Sequence, residues 1–477
     1  MKGLYLVEPV VALYAFSTYL TYPLVTQYVY RRLWQELTNT TYPVSNNTSA
    51  CAAANTSDNQ TDYFQKVQEQ ASLFSLYSQI LSAAPSLLVT LLLVAYSDRA
   101  GRKVAIILPL VGTLLYTLSL LLVSFLRLNV YLLVGASLLS SLFGGLGTFL
   151  GGCFAYVADL SGGGDGRRMT LRIAGLDMMI GLLSGVAALS TGYYLRAAGF
   201  DGPFLTSAIC QFLVLLYTIF ILEETVTRAD SGGVSGWATV EHMFFAIYRM
   251  FARAAPKRRT LLLLLVSVFT SLSFTSVGSF SLIVLYELKE PLCWSEILIG
   301  YGAALSTTVF LFSFVGVAAF TYCGVPQLLV VLMGILSLAA GMTMVAFSKT
   351  TLMMFLARLP MLLSIMPFSV LRSMMSKIIS KSEQGALFAL LSFAEVLTSN
   401  VSAAVFNTAY AATVALYPGF VFLLGAGLCA IPTMLLGVVC AMGVDVAVED
   451  ETLNEDERPQ ADKDAPQDDS DCDPLLN

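Results

Sequence analysis

The chain has 477 residues, 56% hydrophobic and only 12% charged. A soluble globular protein carries roughly 25% charged residues, so the composition excludes an ordinary cytosolic enzyme or nucleic-acid-binding protein and fits a polytopic membrane protein. The net charge of −6 is uneven, because an acidic run led by Glu449, Asp450, Glu451, Glu455, Asp456 and Glu457 closes the chain.

A membrane-spanning helix needs about 20 apolar residues. Taken in order, apolar stretches lie near 7–28, 74–96, 104–126, 131–158, 172–195, 203–222, 260–286, 297–321, 327–347, 351–376, 385–411 and 417–444. Barrel strands are shorter and alternate, so the expected fold is an all-α membrane protein of twelve helices. The first stretch is too long for the apolar core of a signal peptide and is read as a span. Residues 1–222 form an amino-terminal half of six spans, with a loop at 30–70. Residues 223–258 form a linker that is amphipathic from Trp237 to Lys257, the pattern of a helix lying on a membrane surface. Residues 259–446 form a second half of six spans, and 447–477 an acidic tail expected to be disordered. Two six-helix halves are the organisation of transporters that rock around a midplane site.

Five glycosylation triplets crowd the first loop, at Asn39, Asn46, Asn47, Asn55 and Asn59. That loop is therefore expected to face a lumen or the exterior, with both termini cytoplasmic. Basic residues concentrate in the opposite loops, at Arg99, Arg102, Lys103, Arg167, Arg168, Arg258 and Arg259 among others, as the positive-inside rule requires. Of the cysteines, Cys51 and Cys293 fall in loops on the lumenal side, where an oxidising compartment would bridge them; two free thiols are the alternative.

Charge within a span is costly and marks functional candidates. Glu8, Asp159 and Arg172 lie near cytoplasmic helix ends, where ion pairing or gating is expected. Asp177 sits inside span five among apolar neighbours, and burial disfavours the charged form of a carboxyl, so it is a candidate proton carrier. Glu395 in span eleven is the second. Arg372 and Arg358 in span ten are candidates to hold a carboxylate or an anionic substrate. Pro360 and Pro367 predict that this span bends. Tyr301 and Phe154 are candidate cavity aromatics. The sole histidine, His242, falls in the linker, so proton coupling is assigned to carboxylates. No metal-ligand spacing, nucleotide-binding loop or catalytic nucleophile is recognised, and no cofactor beyond the coupling proton is expected.

The turn Asp98-Arg-Ala-Gly101-Arg102-Lys103 between spans two and three resembles the D-x-x-G-R-[RK] loop of the major facilitator transporters. With Asp98, Gly101 and Arg102 it is expected to form a cytoplasmic gate near Asp159. Its counterpart, Thr321-Tyr-Cys-Gly324, has lost the charges. Further strings, among them Val7-Glu-Pro9, Cys153-Phe-Ala-Tyr-Val-Ala-Asp159, Leu285-Tyr-Glu-Leu, Pro291-Leu-Cys-Trp294 and Phe368-Ser-Val-Leu-Arg-Ser373, resemble the proton-coupled folate transporter family, solute carrier family 46, and within it the third, lysosomal branch. The resemblance runs from residue 7 to about residue 430. It implies proton coupling at Asp177, where the family has a glutamate, and substrate and proton support from Arg372. It also implies the Cys51–Cys293 disulfide. A family histidine in span seven is replaced by Ser276, a departure that bears on folate recognition. The tail motif Asp471-Cys-Asp-Pro-Leu475-Leu476 is similar to a dileucine lysosomal sorting signal, read by sorting adaptors. The implied function is proton-driven export of amphipathic organic anions from lysosome to cytosol: steroid conjugates, bile acids, drug catabolites or muropeptides. The alternatives are a transporter-like sensor that signals through its tail, and a folate transporter. A membrane enzyme is the least supported class.

Overall fold

The computed structural model describes residues 7–38, 101–161, 166–225, 255–288, 296–379, 383–413 and 417–442, with isolated positions within 67–97 and at 248, 250–252, 292 and 294. The amino half comprises α1 (Glu8–Thr38), α2 (Tyr77–Val94), α3 (Arg102–Leu126), α4 (Leu132–Leu160), α5 (Gly166–Ala198) and α6 (Asp201–Phe220). The carboxyl half comprises α7 (Pro256–Ser281), α8 (Glu296–Tyr322), α9 (Gln327–Ala346), α10 (Thr351–Ile378), α11 (Gln384–Thr413) and α12 (Phe420–Ala441). Eleven stretches among the described residues are long and apolar enough to cross a membrane. Helix α1 is 31 residues long and packs against α5 and α6, supplying the twelfth rod. Helices dominate because lipid offers no partner for a backbone N–H or C=O. Leu118, Leu122, Phe125 and Phe212 are exposed on the bundle, as expected of lipid-facing side chains.

The expected bend in α10 takes the form of two breaks. Thr351–Leu356 is followed by a 3-10 turn at Pro360–Leu363 and then by Met366–Ile378. Proline lacks an N–H and its ring clashes with the preceding turn. Neighbouring helices satisfy the freed groups. Ser337 of α9 donates to the Pro360 carbonyl and accepts from the Leu363 N–H at 3.3 Å. Ser313 of α8 donates to the Leu362 carbonyl at 2.9 Å. The helix carrying both candidate arginines is thus tied to α8 and α9 where it breaks.

Among the described residues the two halves meet chiefly through α5 against α8, the most extensive helix pairing there. Gly181 makes this approach possible, since a Cβ there would lie 1.9 Å from Phe310 Cγ. On the end of the bundle where α3 begins, Thr170 and Ser373 hydroxyls bond at 2.6 Å. The Phe154 and Phe388 rings stack at 6.3 Å there. Both contacts join α4 or α5 to α10 or α11, so the interface is closed at that end.

Candidate functional site

The turn before α3 builds its own lock. Gly101 has φ +107°, a left-handed conformation that disfavours any side chain. A Cβ there would also lie 2.4 Å from Glu224 Oε2. The space is taken because the Glu224 carboxylate accepts from the Arg102 and Lys103 backbone N–H groups at 2.6 and 3.2 Å, satisfying two of the orphan donors of the α3 amino terminus. The Arg102 side chain, 1% exposed, forks onto Asp159, donating from Nε to Oδ2 at 2.6 Å and from Nη2 to Oδ1 at 3.3 Å. Its Nη1 donates to Ser97 Oγ at 3.1 Å. Tyr156 closes the arrangement by donating to the Glu223 carbonyl at 2.9 Å. The expected meeting of Arg102 with Asp159 is present and lies wholly within the amino half. Asp98 lies outside the described residues. Glu8 and Arg172 also pair, at 2.9 Å, joining α1 to α5.

A second charge cluster spans both halves. Arg372 of α10 donates from Nη1 to Asp177 of α5 at 3.3 and 3.4 Å. From Nη2 it donates to both oxygens of Glu395 of α11 at 2.9 Å. Ser369, about one turn before Arg372, donates to Asp177 Oδ2 at 2.6 Å. Two aromatic faces carry the guanidinium: Phe154 of α4, 4.4 Å from Cζ to the ring centre, and Phe269 of α7 at 5.3 Å. A cation over an aromatic face is attracted by the ring quadrupole. The Asp177 and Arg372 side chains are 13% and 5% exposed, whereas Glu395 is 36% exposed. Glu395 is therefore the member of the triad that solvent or a ligand reaches.

Four sequence candidates, Asp177, Glu395, Arg372 and Phe154, thus converge on one centre. Arg358 is elsewhere. It donates from Nη2 to Glu287 Oε1 at 2.7 Å, with both side chains almost fully buried. Tyr301 is 54% exposed on α8, and no described contact joins it to Arg372. Ser276 is buried in α7. The sequence reading did not single out Glu224, Glu287, Ser369 or Phe269 as functional residues. Glu287 was visible as a carboxylate at the end of an apolar run, but its partner lies 71 positions away. The sequons, Cys51, Cys293, His242, Asp471, Leu475 and Leu476 all lie outside the described residues, as does most of the amphipathic linker. Among the described residues no group of His, Cys, Asp and Glu is arranged to hold a metal ion.

No protein-family model matches the chain. Individual relatives do. The chain is 44% identical over 444 residues to the chicken (Gallus gallus) lysosomal proton-coupled steroid conjugate and bile acid symporter SLC46A3, covering 92% of this chain and 94% of the relative. The human protein of that name is 41% identical over 441 residues, covering 92% and 95%. The rat (Rattus norvegicus) proton-coupled folate transporter is 32% identical over 434 residues, 91% of each chain. The chain belongs to solute carrier family 46. The fold of this family 46 protein is that of the major facilitator transporters. A crystal structure of the human organic anion transporter MFSD10 superposes with a TM-score of 0.68 at 16% identity, covering 90% of this chain and 98% of that one. The transporter FucP in its outward conformation superposes at 0.63 and 12% identity, covering 91% and 97%.

Proposed function

We propose that this family 46 protein is a lysosomal, proton-coupled symporter that carries amphipathic organic anions, steroid conjugates and bile acids among them, from lumen to cytosol. The observation that carries the reading is Arg372 held between Asp177 of one half and Glu395 of the other. One guanidinium facing two ionised carboxylates leaves an unbalanced negative charge in a buried site, which is costly. A single bound proton makes the cluster neutral. Once a carboxyl is protonated, Arg372 can release Glu395 and receive the anionic group of a substrate, since the fork geometry of arginine suits carboxylate and sulfate oxygens alike. Proton and anion then cross together, because each makes room for the other. Asp177, enclosed and bonded to Ser369, is the group assigned to hold the proton. Glu395, more open, is the group the substrate displaces.

The Arg102–Asp159 fork and the Glu224 cap are read as the cytoplasmic gate of the amino half. The orientation, with both termini cytoplasmic, rests on the sequons and the distribution of basic loops. The Asp471–Leu476 motif is assigned to sorting adaptors, and Cys51 and Cys293 to a lumenal disulfide. The names of the curated relatives support the substrate class and the compartment. The test is uptake of a radiolabelled steroid sulfate by cells carrying a Leu475→Ala/Leu476→Ala variant that reaches the cell surface. Acidic medium should raise uptake several-fold and a bile acid should compete. Equal uptake at acidic and neutral pH would contradict proton coupling, and no competition by the bile acid would contradict the substrate class.

A further inference from the structure

A separate cavity of about 210 Å³ lies inside the amino half, bounded by α1, α3, α6 and the segment at Phe74, Ser78 and Gln79. None of its lining residues comes from α4, α5 or the carboxyl half, so it shares no wall with the Arg372 centre. Its occupancy can be read from its chemistry. Among the described residues no charged side chain lines it. Gln211 of α6, 2% exposed, donates from Nε2 to Ser207 Oγ at 3.5 Å, while its Oε1 is buried with no partner. An unpartnered buried acceptor is costly. The hydroxyls of Thr21 and Thr117 donate to the carbonyls of Ser17 and Thr113 at 2.6 and 2.9 Å. A hydroxyl whose proton is committed to its own helix has only lone pairs left to offer. At Gln211 the cavity thus offers an unmet acceptor, and its described lining holds neither a cation nor an anion.

A carboxylate or sulfate would be buried with no countercharge and would face the Gln211 Oε1 acceptor. A cation would be buried with no countercharge. What fits is an uncharged hydrogen-bond donor. Val25, Val29 and Phe74 add an apolar wall suited to a carbon skeleton. Drug-sized sites span roughly 300–1,000 Å³, so this volume admits one end of a ligand only. Tyr22, 73% exposed, and Thr26 stand at the mouth, where the remainder would emerge. We propose that this cavity is a second ligand site, which seats the hydroxyl-bearing end of an uncharged amphipath. The proposal does not depend on the transport reading.

The hydroxyl donor can come from a neutral steroid or from a sugar headgroup, and two probes separate them. Tritiated pregnenolone and octyl glucoside are titrated against the purified full-length protein in lipid nanodiscs. One of them is expected to bind saturably. Gln211→Leu should weaken that probe about tenfold, the scale of a lost buried hydrogen bond. Val25→Phe, which fills the cavity without removing a polar group, should abolish binding, and it carries the test should Gln211→Leu fail to fold. Arg372→Ala should leave binding unchanged. Saturable binding of neither probe would overturn the proposal. So would undiminished binding in the Val25→Phe protein, or loss of binding in Arg372→Ala, which would place the ligand at the central site.

Discussion

Two buried arginines stand on α10, and they keep opposite company. Arg358 meets one carboxylate, Glu287, within the same half, with both side chains sealed from solvent. Arg372 meets two carboxylates, one from each half, one of them 36% exposed. The first sets one cation against one carboxylate. The second has more negative partners than positive charge and a route to water. Intramembrane charge alone therefore does not single out the Arg372 cluster; what sets it apart, and what the proposed transport role rests on, is its unequal count of partners across the two halves.

That contrast can be broken by exchanging the losses. Arg358→Ala should strip a buried carboxyl of its partner and destabilise the fold by about 3–5 kcal/mol, read as a lower thermal midpoint in detergent. A further Glu287→Leu should recover most of it. Arg372→Ala should instead abolish steroid sulfate uptake while lowering the midpoint less, because Glu395 can rehydrate. The reverse order of effects would break the comparison. A smaller effect sharpens it: Phe154→Leu removes the ring beneath Arg372, and a cation–π contact is worth roughly 0.5–2 kcal/mol. The apparent substrate affinity should fall a few-fold with expression unchanged, whereas Phe355→Leu, whose ring packs on Trp294 and not on Arg372, should leave affinity untouched.

The smallest effect is one of pH. Glu287 lies beyond the apolar stretch of α7, which ends at Phe280, and burial pushes its carboxyl up to about 7 against the pull of Arg358. A carboxyl raised in the folded state adds stability that is complete below its unfolded value, near 4.5, and is lost as pH rises through about 7. The thermal midpoint should therefore decline across that window in the parent protein. Glu287→Gln should flatten the decline. An unchanged slope would assign the pH dependence to other groups.

Much of this was legible in the sequence, for reasons that are local. Each apolar run is long enough to span, Pro360 and Pro367 break the helix they occupy, and Gly101 carries the positive φ that its turn requires. Asp177, Arg372 and Glu395 stood out because charge is rare in such runs. Their convergence was not legible, since it depends on α5, α10 and α11 meeting at one level across the two halves. Likewise Arg358 and Arg372 look alike in one dimension, and only the fold gives one a sealed partner and the other a shared one. Glu224 escaped notice because a carboxylate just past the end of a span is unremarkable until α3 begins beside it. Phe269 was one aromatic among many until Arg372 lay over its face.

The central claim is that Asp177 carries the proton that frees Arg372 for an anionic substrate. It is tested most directly by measuring steroid sulfate uptake against external pH in the surface-directed protein with Asp177→Asn. Uptake is predicted to lose its acid stimulation and become independent of external pH, while the variant reaches the surface in normal amount. Acid stimulation equal to that of the parent would contradict the account.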